Sequence, residues 1–487
     1  MSHHRPAVAL LCAASLALSL GALGPLGARG GAAAVAAEAT AVVGSPDGPD
    51  AYFPRDGNGG YQVTHYTIDD RVQPSTDALS GRTTLRAVAG SSALSAFHLD
   101  LRLTPDAVTV DGEPATFSKP SGHELEVTPR TPVAAGSPFT VAVRYHGTPS
   151  RLRSATAWDG YFHQPGETAA VGEPQIGPWW FAANETPRDK ATFDITIRVP
   201  TGQQAVSGGR LVSRTVSGDW TAWRWKVDEA ISTYLAYFVA GRFEIRRTTA
   251  DGRPVLYAVS RQLSAKEVEQ AFALLDDTPR ILRWMESRFG AYPYATAGGV
   301  VSSVYTGFAL ENASRPFYSW FGSSAGTVVV HELAHQWFGD TVALQRWRDT
   351  WLNEGFATYV EWLWQEGHGR RSVQDTLTSR YDSYVPSSTF WDLQVSNPGP
   401  TEIFSTPVYD RGGMMLGALR CRIGKAPMRD LVRAWVDRHR DGTGTGRQFR
   451  DLAAAREGAG LSTFFHTWLD VRERPARTRA NGLTGCS

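Results

Sequence analysis

The sequence predicts an α+β protein of more than one domain, an antiparallel β half followed by a mainly helical half. Three observations carry that expectation. Between residues 61 and 260 short runs alternate apolar with polar residues. In "ATFDITIRVP", Phe193, Ile195, Ile197 and Val199 face one way and Asp194, Thr196 and Arg198 the other. At Ser264 the period changes: Ser264 and Glu267 read as a capping box, and apolar residues recur at helical spacing as far as Gly290. The third is size, since 487 residues, 42% hydrophobic and 20% charged, suffice for two domains with substantial cores.

Taken in order, residues 1–36 read as a secretory signal peptide. Arg5 precedes the apolar run "AVALLCAASLALSL", small residues follow, and "AVA" at 34–36 is the expected cleavage site. A lipoprotein anchor needs a small residue before its cysteine, whereas Leu11 precedes Cys12. Residues 37–60 are rich in Ala, Gly, Pro and Asp and are expected to form a flexible tail. Residues 61–255 form the β domain, to which "WTAWRWKV" and "YLAYFVAGRFEI" contribute aromatic, β-branched strands. Residues 256–475 form the helical domain, with "DGTGTG" (441–446) a loop between two helices, and 476–487 a frayed C-terminal tail.

No later segment has the apolar length of a membrane helix, so the mature chain is expected to be soluble and secreted. Net charge is +1; without Arg5 and Arg29 there remain 47 basic residues against 48 acidic, or −1. That balance gives no reason to expect nucleic acid or an anionic membrane as partner. Three cysteines do not make a disulfide scaffold, and the sequence leaves open whether Cys421 and Cys486 pair. The sixteen tryptophans are expected mainly in cores, with some available to line a substrate groove.

The stretch "TVVVHELAHQWFGD" (327–340) carries chemistry. His331 and His335 are four apart, so on a helix both imidazoles leave one face, one turn apart, as two ligands of one zinc ion must. A catalytic zinc takes a third protein ligand and leaves a position for water. Glu354 in "WLNEGFATYVEWLW" follows His335 after eighteen residues and is the candidate, delivered by a second helix packed antiparallel on the first. Glu332, beside the first ligand, is then the general base. His331 and His335 sit among Val328, Val329, Val330, Leu333, Ala334, Trp337 and Phe338, so their helix is expected to be buried and its polar groups to need partners. His65, His98, His123, His146, His163, His368, His439 and His466 lack ligand spacing and are expected in surface or core roles.

"HELAHQWFGD" followed by "WLNEGFA" resembles the signature of the M1 family of zinc aminopeptidases. The resemblance extends to "YQVTHYTID", "DKATFDITIRVP" and "ISTYLAYFVAGRFE" in the first half and to "TPRILRWMESRFGAYPY" in the second. It implies a saddle-like β domain followed by a thermolysin-like catalytic domain, one Zn2+ and peptide substrates. "GFALENAS" is similar to the family's exopeptidase motif, which makes Glu311, followed by Asn312, the carboxylate that holds the substrate's α-ammonium. Phe308 and Leu310 replace the motif's usual Gly and Met, which affects backbone contacts there. In "GEPQIGPWWFAANETP", Glu173 takes the family's second amine-binding position, with a surface-loop acid as its alternative. "VYDRGGMMLGALR" resembles the helix start carrying the catalytic tyrosine, here Tyr409, an oxyanion donor.

Larger relatives carry a further helical domain over the active site, and "FFHTWLDVRERP" resembles the end of the catalytic domain; a more open cleft is therefore expected. The expected function is removal of N-terminal residues from peptides. An endopeptidase with an open cleft and a non-catalytic peptide-binding protein remain as alternatives.

Overall fold

The computed structural model describes residues 40–152, 160–458 and 460–486. The signal peptide expected over 1–36, with Cys12, lies outside them.

The alternation at 61–260 becomes a β domain around an eight-stranded sheet. Its order is Arg210–Ser217, Trp220–Ile231, Ala191–Pro200, Tyr61–Gln73, Ala78–Ala89, Pro138–Gly147, Thr104–Val110, Glu113–Pro114. Tyr61–Gln73 and Ala191–Pro200 bury almost every second residue, which fixes their register because a one-residue slip would expose Ile68 and Ile195. These two run parallel, the exception in an otherwise antiparallel sheet. Two four-stranded sheets complete the β half. One holds Val42–Val43, Leu94–Asp100, Glu124–Thr128 and Thr116–Ser121, the other Tyr161–Gln164, Glu167–Ala170, Phe238–Gly241 and Gln204–Ser207.

The second half opens with a mixed five-stranded sheet ordered Phe243–Ala250, Arg253–Ser260, Ala297–Ser302, Phe317–Ser319, Ala309–Leu310. The expected boundary at 255/256 falls inside Arg253–Ser260, which pairs with Phe243–Ala250 on one edge and with Ala297–Ser302 on the other. Strand pairing therefore puts residues 243–260 with the second half, a parallel partnership that alternation alone does not reveal. Arg315, fully buried, ties the halves together: its guanidinium donates to the Ser207, Gly209 and Leu256 carbonyls.

The helices are α1 (Ala265–Leu275), α2 (Thr278–Phe289), α3 (Gly326–His335), α4 (Trp351–Gly367), α5 (Val373–Ser383), α6 (Thr406–Ile423), α7 (Lys425–His439), α8 (Gly446–Glu457) and the short α9 (Leu461–Phe465). The capping box at Ser264 and Glu267 is present in both directions. The loop expected at 441–446 instead contains a strand, Gly442–Gly444, paired with Val342–Leu344. Trp179, Trp180, Trp225, Trp337, Trp351, Trp391, Trp435 and Trp468 are all fully buried, so tryptophan serves chiefly the cores.

Both expected tails are packed. From Thr40 the chain forms a strap: Val42–Val43 pair with Leu94–Asp100, and the Asp50 carboxylate accepts from the Trp347 amide at 2.6 Å. The Tyr52 hydroxyl donates to Asn397 at 2.7 Å. A segment without hydrophobic periodicity is thus held by polar contacts to residues some 300 positions away. At the other end Trp468 donates to the Asn481 carbonyl at 3.1 Å, Leu483 is buried, and Cys486 forms a disulfide with Cys421 on α6.

α4 and α6 meet through glycines. A Cβ on Gly412 would lie 2.9 Å from the Gly355 Cα, and one on Gly355 would lie 3.0 Å from the Gly412 backbone. This approach carries Tyr409, on the first turn of α6, toward α4. Gly412→Ala is expected to lower unfolding stability by about 1–3 kcal/mol, measured by denaturant titration; an unchanged midpoint would mean the helices are free to separate.

Candidate metal centre and active site

α3 is apolar on most of its surface and buries Val329, Val330, Leu333 and Ala334, so its polar residues leave on the remaining face. His331 and His335 have ring centroids 4.8 Å apart there. Glu354, on the first turn of α4, meets both: its Oε2 is 3.2 Å from His331 Nε2 and 3.5 Å from His335 Nε2. α4 runs antiparallel to α3, since His335 faces Glu354 while His331 also reaches Glu361 one helical stretch later.

The other ring nitrogens are already used. His331 Nδ1 donates to Glu361 Oε1 at 2.6 Å and His335 Nδ1 to the Phe338 carbonyl at 3.0 Å. Both Nε2 atoms are therefore the free, inward-facing donors, the arrangement that metal-binding imidazoles need. A tetrahedral zinc with bonds of about 2.0–2.1 Å has ligand–ligand edges of about 3.3 Å. The 3.2 and 3.5 Å separations fit that edge, and all three ligand atoms lie within 4.8 Å of one another. His331, His335 and Glu354 fit one zinc ion.

Around this centre lies a cavity of about 280 Å³ whose lining includes Glu173, Glu311, Glu332, Phe308 and Tyr409. Glu332 is 5% exposed; burial raises its carboxyl pKa to about 8 against the opposing pull of His331 and His335. A bound dication acts in the same direction as the imidazoles. Burial, and then the nearby Glu354 and Glu173, hold the Tyr409 phenol far above its usual range, so it stays a donor at neutral pH. Its ring lies nearly parallel to that of His331, centroids 6.1 Å apart.

Glu311 and Glu173 are buried acids on opposite sequence segments. Burial raises both, and for Glu173 the charge of Glu311 is the next cause. Two such carboxylates in one cavity favour an incoming cation. The Tyr234 hydroxyl donates to Glu311 Oε1 at 3.2 Å, whereas Glu173 Oε1 has no hydrogen-bond partner. Glu173 is thus a cavity acid rather than a surface-loop one. Asn312 is placed differently: it is not among the lining residues, and its amide donates to the Leu235 carbonyl at 3.4 Å. Phe308 lines the cavity and packs edge-on against Phe162, centroids 5.7 Å apart.

Three contributors escaped the sequence reading. Glu361 follows Glu354 by seven residues, on the same face of α4, and that spacing was the available signal. Gln336 bridges the metal helix to the "GFALEN" segment, donating to the Glu311 carbonyl at 2.8 Å and accepting from the Ser314 amide at 2.9 Å. Tyr234 comes from the β half, and no local pattern marks it.

Residues 273–468 match the Peptidase family M1 domain. The chain is 28% identical over 325 residues to aminopeptidase N of Streptomyces lividans, covering 60% of this chain and 36% of that one. It is 25% identical over 443 residues to aminopeptidase N of Lactococcus lactis subsp. lactis, covering 83% and 50%. The chain thus spans about a third to a half of the length of these curated relatives. The solved M1 zinc metallopeptidase from Deinococcus radiodurans superimposes with a TM-score of 0.78 at 27% identity, over 88% of this chain and 99% of that one. A mutant of that protein was solved bound to a Tyr-Ser-Ala substrate.

The helical half of the chain matches the M1 peptidase family. The chain's β half and helical half correspond to those of a two-domain M1 metallopeptidase, and the zinc of that family is the ion the three ligands fit.

Two outcomes are expected of this metal centre. Without metal, His335 is depressed by burial but raised by Glu354 and Glu311, to about 9, so below that pH a proton occupies the nitrogen that zinc requires. Zinc affinity should therefore fall by about tenfold per pH unit from 9 toward 7 for each proton displaced. Calorimetry in buffers of different ionisation enthalpy checks it, and a pH-independent Kd would contradict it. Glu361→Gln should weaken zinc binding by about 10- to 100-fold, measured by competition with a chromogenic chelator; an unchanged affinity would leave Glu361 without a part in orienting His331.

Proposed function

We propose that the protein is a secreted zinc aminopeptidase that removes N-terminal residues from peptides. The observation that carries this reading is the pair of buried carboxylates, Glu311 and Glu173, in the cavity that also contains the Nε2 atoms of His331 and His335. An acid pair at a fixed distance from the metal ligands favours an α-ammonium there, and so measures the substrate from its N-terminus. The aminopeptidase names of the relatives support the same reading, and the Tyr-Ser-Ala peptide held by the Deinococcus protein supports a short peptide as substrate.

Zinc, when bound, supplies a Lewis acid that polarises a carbonyl and acidifies water. Glu332 takes a proton on its carboxylate and returns it to the departing amine. The Tyr409 phenol donates to the oxygen on which negative charge develops. Tyr234 holds the Glu311 carboxylate in place, and Gln336 fixes the segment that carries it. Phe308 narrows the cavity at the position where the exopeptidase motif usually has glycine, so it bears on which side chain is accepted.

Export is supported by the leader at residues 1–36 and by the Cys421–Cys486 disulfide, which suits an oxidising compartment. Among the described residues no helix is long and apolar enough to cross a membrane.

Glu332→Gln should lower kcat by about 10²- to 10⁴-fold with one catalytic zinc retained, and Glu311→Ala should lower kcat/KM on free-amine substrates by about 10- to 100-fold. Aminoacyl anilides and matched N-acetylated peptides, with chelation and zinc rescue, provide the assay. Chelator-sensitive cleavage of acetylated or internal bonds would instead make the protein an endopeptidase. Zinc bound with no turnover on any peptide would make it a binding protein.

A further inference from the structure

A second set of metal-ligand atoms lies in the β half, apart from the catalytic cavity. The strand Leu94–Asp100 ends at Asp100, and the strand Glu124–Thr128 begins beside His123. Ligand atoms of Asp100, His123 and Glu124 lie within 4.8 Å of one another. His123 Nε2 is 3.6 Å from Asp100 Oδ1 and 3.2 Å from Asp56 Oδ1 on the N-terminal strap. These separations nearly repeat the 3.2 and 3.5 Å between Glu354 and its two imidazoles.

The burial is what points to a ligand. Asp100 is fully buried and its Oδ1 has no hydrogen-bond partner; Glu124 is 3% exposed and neither of its oxygens has one. Buried carboxylate oxygens left without a donor are costly, and a cation satisfies several together. The opposite edge of Asp100 is fully engaged: Oδ2 accepts from the Gly57 amide at 3.1 Å, Asn58 Nδ2 at 3.1 Å and the Glu185 amide at 2.8 Å. That anchoring turns Oδ1 toward His123. Asp56 is oriented likewise, its Oδ2 accepting from Gln175 at 3.1 Å. His123 Nε2 itself donates to the Arg55 carbonyl at 2.8 Å, a bond that an ion at this nitrogen displaces.

We propose that His123, Asp100 and Glu124, assisted by Asp56, bind a second divalent cation of the zinc type. One imidazole nitrogen among carboxylate oxygens suits zinc better than calcium, which takes oxygen ligands. The site joins three separate pieces of chain: the strap through Asp56, the β sheet through Asp100, His123 and Glu124, and the segment 173–185 through the Gln175 and Glu185 contacts. That segment begins at Glu173, so the ion is a structural clamp behind one wall of the catalytic cavity. The rival occupant is a proton. Burial lowers the His123 pKa, but its hydrogen bond to Asp56 and the charge of Asp100 outweigh that and raise it to about 9, giving an imidazolium in place of a metal.

The test is the zinc content of the mature full-length protein after dialysis against metal-free buffer, measured by inductively coupled plasma mass spectrometry. Two zinc ions per chain in the wild type, one in His335→Ala and one in Glu124→Gln are expected. Zinc chloride should raise the Tm of His335→Ala but not of His335→Ala/Glu124→Gln. One ion in the wild type and none in His335→Ala overturns the proposal, as does a second ion that persists in both Glu124→Gln and His123→Ala. Should the Glu124 or His123 variants fail to fold, the wild-type and His335→Ala contents decide the matter alone.

Discussion

The functional half of this molecule depends on one contact, the Glu354 carboxylate held against His331 and His335. Each group alone would be unfavourable where it sits: Glu354 is 3% exposed, His335 1%. Together, opposite charge outweighs burial, and the imidazoles hold Glu354 down at about 2. The contact requires α3 and α4 to lie antiparallel and close. The surrounding core enforces that: the ring of Phe338, just past α3, stacks on that of Phe356 on α4, with centroids 4.5 Å and planes 5° apart.

The cavity beyond the ligands is built on the same imbalance. Glu173, Glu311, Glu332 and Glu354 gather in a space of about 280 Å³, and burial opposes ionisation of each. Such a site is unsatisfied without cations, and it offers positions for two: a metal at the imidazoles and an ammonium near Glu311 and Glu173. The rigid parts are those that fix the distance between these positions. Gln336 does this most directly, because its side chain belongs to the turn just after the metal helix while its amide is bonded to the backbone of Glu311.

What the sequence made legible was local. His331, Glu332 and His335 lie within five residues, and helix periodicity alone puts the histidines on one face. The β alternation was equally readable, because one face of each strand meets a core. Glu311 and Tyr409 needed a family pattern, and Glu354 the supposition of a second helix packed on the first, since nothing within their own segments specifies that they meet. Glu361 and Tyr234 stayed hidden because their roles depend on which faces of distant elements pack together. The strap at 40–60 read as a tail for a related reason. Its composition is that of loops, and it is ordered through single polar contacts such as Asp50 with Trp347, which leave no periodic trace. The boundary expected at 255 falls inside a strand whose parallel neighbour lies about forty residues ahead.

His123 shows the limit most clearly. Judged by spacing it has no ligand partner, since Asp100 lies 23 residues before it and Asp56 another 44 before that. The hairpin and the strap erase those separations and deliver a donor set with nearly the spacing of the catalytic one. Both places gather buried carboxylates around imidazole nitrogen. The segment 173–185 runs from one to the other, beginning at Glu173 in the catalytic cavity and ending at Glu185, whose amide is bound by Asp100. The segment that carries Glu173 into the cavity is therefore tied at its other end to the β half through Asp100.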